Sequence, residues 1–177
     1  MDNWQLTERK ILLDHPMMRA IVDTLSRNGV SWRYTYLESP VDSGTTLALT
    51  ERREIVLTRQ YRHPIGRIIY DLPGGRTLPG EDPADGARRE LEEETGYHAA
   101  NFSLLGRFNP FPGSLRVAAN LFFATGLTPG QQRLDEHEEL EVHLRPFDEM
   151  YDEVLAGEHI DAMLQWGVLL ARAKGLA

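Results

Sequence analysis

The chain has no cysteine among its 177 residues, which excludes disulfides, thiolate metal sites and thiol nucleophiles. Positive charge is scarce as well: 19 basic residues stand against 27 acidic ones, for a net charge of -8. That balance disfavours a broad surface for nucleic-acid backbones, so no nucleic-acid partner is expected. A small polyphosphate remains a suitable ligand, provided a divalent cation stands between the two negative partners. Long apolar runs are missing too. No stretch approaches the length of a membrane span, and Met1 to Pro16 holds no apolar run of the kind a signal peptide needs. A cytoplasmic protein without a membrane partner is therefore expected. No internal repeat or low-complexity segment is present. The six histidines are scattered without metal-ligand spacing, and Ser114 has no His–Asp arrangement to make it a nucleophile.

What is present suits a soluble globular protein: 41% hydrophobic and 26% charged residues provide enough apolar material for a core. Val30 to Leu37 alternates aromatic and polar residues, the period of a strand. Met17 to Leu25 reads as helix or strand, and Asn28-Gly29 as a turn. Thr46 to Leu49 and Ile55 to Thr58 are short apolar runs that predict a hairpin across Glu51 to Glu54. Ile68 to Leu72 predicts a strand stopped by Pro73-Gly74-Gly75, and further strands are expected at Ser103 to Arg107, Asn120 to Ala124 and Leu140 to Leu144. Asp82 to Thr95 is the best-marked helix. Asp82 can cap it, Pro83 suits its first turn, Gly96 ends it, and Ala84, Ala87 and Leu91 form an apolar stripe. Two more helices are expected at Phe147 to Leu155 and Ile160 to Ala173. Strands outnumber helices and many neighbours read as hairpin-linked, so the expected class is α+β, a sandwich with a mixed sheet and helices on its faces.

The central helix carries the chemistry. Glu90, Glu92, Glu93 and Glu94 crowd into five positions, and Glu90 and Glu94 lie one turn apart on one face. Like charges at that spacing cost roughly 0.2–0.5 kcal/mol per pair, and the helix C-terminus disfavours anions further. A hard divalent cation would relieve that repulsion, and carboxylate oxygens suit Mg²⁺ or Mn²⁺. A run of this kind is also compatible with a solvated face, laced by Arg88–Glu92 and Arg89–Glu93 pairs.

The wider spacing decides between these readings. From Gly75 the chain runs five residues to Glu81, seven more to Arg89-Glu90-Leu91, one to Glu93-Glu94, and one to Gly96-Tyr97. This resembles the Nudix box of the Nudix hydrolases, with Tyr97 where an aliphatic residue is usual. The resemblance implies a Nudix-type α/β/α sandwich at residues 45–177, preceded by a strand-rich extension at 1–44. It further implies that Glu90, Glu93, Glu94 and the backbone carbonyl of Gly74 hold Mg²⁺, with Mn²⁺ a possible substitute. Arg89 would orient the glutamates, Glu81 would brace the loop, and Gly75 would let the backbone turn.

Thr58-Arg59-Gln60-Tyr61-Arg62 ahead of Leu72-Pro73-Gly74-Gly75 is similar to a stretch of the ADP-ribose and nucleotide-sugar pyrophosphatases. Gly74 stands there for the usual Ala. Pro110-Phe111-Pro112-Gly113 resembles a further loop of that group, and so does the N-terminal extension, which in that group exchanges between subunits and helps hold the base. The resemblance implies a small nucleotide substrate and a homodimer. The implied activity is hydrolysis of the diphosphate linkage of a nucleoside diphosphate joined to another group. The alternatives are a Nudix hydrolase of dinucleoside polyphosphates or non-standard nucleoside triphosphates, and a non-catalytic Nudix-fold regulator. Arg116 and Val117 stand where that group commonly has an acidic residue. Arg59, Arg62 and Arg116 are candidate phosphate contacts, and Trp32 is a candidate to stack on a base. The loop Asp135 to Glu139 aligns with the segment supplying a catalytic glutamate, with Glu136 favoured and Glu138 and Glu139 close behind.

Overall fold

The structure, a computed structural model, describes residues 4–177. In chain order the first half holds β1 (Gln5–His15), β2 (Met18–Arg27), β3 (Val30–Glu38), β4 (Ser43–Ala48), β5 (Glu54–Arg62), β6 (Arg67–Asp71), β7 (Gly74–Arg76) and helix α1 (Pro83–Thr95). The second half holds β8 (Tyr97–Phe108), β9 (Leu115–Arg116), β10 (Ala119–Pro129), β11 (Leu140–Pro146), α2 (Phe147–Leu155) and α3 (Ala162–Ala173). Two compact units divide the chain: the segment up to Asp42 joined by Asn109–Ala118, and Ser43–Phe108 with Ala119–Ala177. Among the described residues no helix is long and apolar enough to cross a membrane.

The smaller unit is a sheet in the order β1-β2-β3-β9. Asn28 and Gly29 both take positive φ, 51° and 78°. A two-residue turn of that hand matches the twist of paired strands, so the Met17 to Leu25 stretch resolves as strand from Met18 onward, with Arg27 opposite Val30. Its buried residues are Ile21, Val22 and Asp23 at the middle of β2, whereas β1 is exposed along its whole length.

The larger unit contains the sheets β7-β4-β10-β8 and β11-β5-β6. Adjacent residues of a strand point to opposite faces, and here both faces are covered. Leu47, Ile55 and Leu57 join Phe147, Met150, Leu164 and Val168 of α2 and α3, while Ala48 and Val56 join Leu91 of α1. Burial on both sides is why these strands read as continuous apolar runs. The result is the expected sandwich, with mixed sheets between helices.

Two local expectations are corrected. Thr46 to Leu49 and Ile55 to Thr58 do not form a regular hairpin. β4 runs parallel to β10 and antiparallel to β7, β5 lies between β6 and β11, and a single bridge, Leu49 to Ile55, joins the two runs. Strands apolar on both faces belong inside sheets, and their partners come from distant chain. Nor does Gly74 end the strand structure. It starts β7, because it lacks a side chain: a Cβ there would lie 2.5 Å from the carbonyl oxygen of Gly44 and 2.6 Å from Thr45 Cα. Gly44 in turn admits α1, since its own Cβ would meet Ala87 Cβ at 2.7 Å.

Candidate active site

The site is assembled on α1 and the loop before it. The side chain of Asp82 accepts the Ala84 N–H at 2.8 Å, Pro83 occupies the first turn, and Gly96 closes the helix at φ 74°. This fixes the rotation of α1, so that Leu91 and Ala87 enter the core while Glu90, Glu93 and Glu94 face the β7 side and the loop. Gln132 Nε2 and the Arg133 N–H take the C-terminal carbonyls of Glu94 and Glu93 at 2.7 and 2.8 Å. Those bonds tie the helix end to the stretch that leads into Asp135 to Glu139.

Arg89 is the hub. Its Nη1 donates to Glu90 Oε1 and to Glu93 Oε2, both at 2.9 Å, while Nε and Nη2 reach the two oxygens of Glu81 at 3.1 and 3.2 Å. Nη2 also reaches the Arg76 carbonyl at 3.2 Å. Glu81 accepts the Leu78 N–H at 2.7 Å as well, which joins the loop to the helix. Charge-assisted bonds from Arg89 hold the Glu81 carboxyl below its usual pKa. The expected pair of Arg88 with Glu92 is not made: Arg88 donates to the Ala99 carbonyl at 3.0 Å and lies over Phe102, and Glu92 faces His98.

Glu90 and Glu94 behave differently. Both are desolvated, and burial raises the pKa of each. For Glu94, only 5% exposed, it is pushed up to about 8, with the charges of Glu90, Asp71 and Glu138 adding to burial and a Gly74 N–H bond of 2.8 Å opposing it. Gly75 makes room for Glu90: a Cβ there would lie 2.6 Å from its carboxyl carbon. Among the described residues no three His, Asp or Glu side chains converge tightly enough to cage a metal ion alone. The donors nonetheless suit a hard cation. Glu90 and Glu94 are desolvated carboxylates on adjacent turns, Glu90 with the Arg89 guanidinium on one oxygen and Glu94 held by the Gly74 N–H, and Mg²⁺ ordinarily takes one or two carboxylates with substrate phosphates and water completing its shell.

The structure thus brings Gly74, Arg89, Glu90, Glu93 and Glu94 together. Glu136 and Glu139 are exposed on their loop, and the member whose charge reaches both Glu90 and Glu94 is Glu138. Glu138 and Glu139 line a cleft of about 440 Å³ with Arg59, Tyr61 and Ile68. Arg59 donates to Glu141 Oε2 at 3.0 Å. Arg62 is bound to Asp71, a residue that sequence reasoning passed over; its signal was a lone acid in the apolar run Ile68 to Leu72. Trp32 and Arg116 belong to the smaller unit. Trp32 packs edge-on against Tyr34 at 4.9 Å, and Arg116 Nη1 donates to Glu38 Oε1 at 2.8 Å. A cavity of about 370 Å³ in that unit is lined by Asp23, Tyr34, Tyr36, Pro112 and Arg116.

Comparison with known proteins agrees with this architecture. The NUDIX domain matches residues 42–166. An ADP-ribose pyrophosphatase of Bacillus subtilis (strain 168) is 32% identical over 130 residues, 72% of this chain and 70% of that one. A methanol dehydrogenase activator of Bacillus methanolicus is 39% identical over 94 residues, about half of each chain: 52% of this one and 51% of the other. A crystal structure of an ADP compounds hydrolase superposes with a TM-score of 0.88 at 21% identity, covering 100% of this chain and 97% of the other, which establishes the shared fold. With the box helix, its bracing arginine and the two-sided sandwich all in place, the chain belongs to the Nudix hydrolase family and is similar within it to the ADP-ribose pyrophosphatases.

Proposed function

We propose that this Nudix hydrolase cuts the diphosphate linkage of a nucleoside diphosphate joined to a further group, of the ADP-ribose or nucleotide-sugar kind. Nucleoside monophosphate is one product. The observation that carries the reading is the desolvated pair Glu90 and Glu94, one turn apart, with Arg89 bonded to Glu90 alone of the two. In this reading Glu90 and Glu94 hold Mg²⁺, or Mn²⁺ in its place, with Glu93 and the Gly74 carbonyl as the remaining protein donors. When bound, the ion neutralises phosphoryl oxygens and lowers the proton affinity of the attacking water. The residues do the rest. Arg89 holds Glu90 and Glu93 in register through Nη1, and the 135–139 loop supplies a carboxylate to take the proton from water. Glu138 is favoured for that role by its charge coupling to Glu90 and Glu94, with Glu136 and Glu139 as alternatives. Arg59 and Arg62 are assigned to phosphate oxygens, and Trp32 and Arg116 to the nucleoside and distal ends.

The deciding experiment is a substrate screen with purified protein, in Mg²⁺ and in chelator. It sets ADP-ribose and sugar nucleotides against dinucleoside polyphosphates and nucleoside triphosphates. The expected result is Mg²⁺-dependent release of nucleoside monophosphate from the first group. Preference for the dinucleoside polyphosphates or triphosphates would overturn the substrate assignment.

A further inference from the structure

Asp71 stands apart from the carboxylates of α1. It lies on β6, directly opposite Thr58 of β5, and is 3% exposed. Residues two apart on a strand share a face, so Thr58, Gln60 and Arg62 line up beside it. Thr58 Oγ1 donates to Asp71 Oδ1 at 2.5 Å, and Gln60 Nε2 reaches the same oxygen at 3.3 Å. Arg62 Nε donates to Oδ2 at 2.9 Å, and Arg62 Nη2 makes a second bond to Oδ2. Both Asp71 oxygens are thereby engaged.

The anchoring is one-sided. The Arg62 side chain is 44% exposed against 4% for Asp71, so the guanidinium is held from below and open above. Among the described residues Arg62 Nη1 makes no hydrogen bond. Burial raises the pKa of Asp161, the N-cap of α3, and the charges of Asp71 and Arg62 act on it in opposite senses. Val56, two residues before Thr58 on the same face of β5, packs with Leu91 of α1, and Gly74, three residues past Asp71, donates its N–H to Glu94 Oε2 at 2.8 Å, so the Asp71–Arg62 pair lies on the face of the sheet that carries the carboxylates. Stability alone accounts poorly for this arrangement, because an ion pair whose arginine is exposed contributes little.

We propose that Asp71 is a positioning residue for substrate: it holds the Arg62 guanidinium at the rim of the Glu90–Glu94 site, leaving Nη1 to take a phosphate oxygen of the diphosphate. This rests on the diphosphate-hydrolase reading above. Arg62 touches substrate, and Asp71 acts only through Arg62, by removing rotamer freedom that an unanchored arginine would lose on binding.

The test is ADP-ribose hydrolysis with Mg²⁺ by the full chain and by Arg62→Ala, Asp71→Asn, Asp71→Glu and the Arg62→Ala/Asp71→Asn double variant, each with a melting temperature. Arg62→Ala should raise KM by about tenfold to a hundredfold, through loss of a charge-assisted bond. Asp71→Asn should raise KM by about two- to tenfold and add nothing in the Arg62→Ala background, while Asp71→Glu, which keeps the charge, recovers part of the loss. If Asp71→Asn does not fold, the Asp71→Glu shift in KM, present with Arg62 and absent without it, carries the same test. A merely structural Asp71 would lower melting temperature and kcat with KM unmoved, or add in full to Arg62→Ala, and either result overturns the proposal. Calorimetric binding of inorganic pyrophosphate with Mg²⁺ separates the two readings. Binding that depends on both residues without hydrolysis of ADP-ribose sinks only the substrate reading, whereas hydrolysis indifferent to Asp71→Asn sinks only the positioning.

Discussion

Glu94 combines deep burial with a pKa pushed up to about 8, so stability and activity pull in opposite directions on it. Its folded-state proton affinity exceeds the unfolded value of 4.5. The folded state therefore binds more protons between those two values, and stability falls as pH rises through that window. In metal-free buffer this one group should make the protein less stable at pH 8 than at pH 5 by up to about 4 kcal/mol. Glu94→Gln should flatten that slope in denaturant titrations at the two pH values, while lowering turnover at saturating Mg²⁺ by about two decades or more. Unchanged slope and near-normal turnover would remove Glu94 from the site. The loop acids are separated in the same way. Glu138→Gln should lower kcat by about a hundredfold or more with little change in KM, and Glu136→Gln and Glu139→Gln should stay close to wild type. The reverse ranking, read in steady-state kinetics, would return the base to Glu136 or Glu139.

At the scale of elements, the turn between β6 and α1 depends on two adjacent glycines with different neighbours. A side chain at Gly74 would first meet the backbone of β4, whereas one at Gly75 would first meet the Glu90 carboxylate. Backbone cannot yield cheaply, and the end of a flexible side chain can. Gly74→Ala should therefore cost several kcal/mol of stability, on the order of 2–4 by overpacking and lost pairing. Gly75→Ala should cost under about 1 kcal/mol yet displace Glu90 and lower kcat by about tenfold or more. Melting curves and kcat on the same two variants check this. Equal stability losses would show that Glu90 is not free to move.

For the whole molecule, the smaller unit presents Leu6, Ile11, Leu12, Leu13, Val30 and Trp32 to solvent on β1–β3. Exposed apolar patches mark association surfaces, and exposed apolar residues on this one ribbon are in line with the homodimer expected from the N-terminal extension. Light scattering at micromolar concentration should report a dimer, and Leu12→Glu with Val30→Glu should shift it toward monomer with a loss of activity. A fully active monomer would refute the assembly.

Wherever the controlling interaction is local, the sequence by itself was sufficient. The capped helix at Asp82 to Gly96, the Asn28-Gly29 turn, α2 and the spacing of Glu90, Glu93 and Glu94 depend on dihedral preference and periodicity over a few residues, and a motif written at that range can be read there. Tertiary structure decided what depends on chain far away. β4 and β5 part into different sheets because β10 and β11 pair with them from far along the chain, Ala119 with Ser43 and Pro146 with Glu54, a distance over which periodicity carries no signal. Arg62 meets Asp71, Arg116 meets Glu38, and Glu138 acts on Glu94 only once strands and loops are stacked. A charge written in the sequence has a sign but no neighbour, and its pKa and its role both come from the neighbours and the water that folding adds or removes.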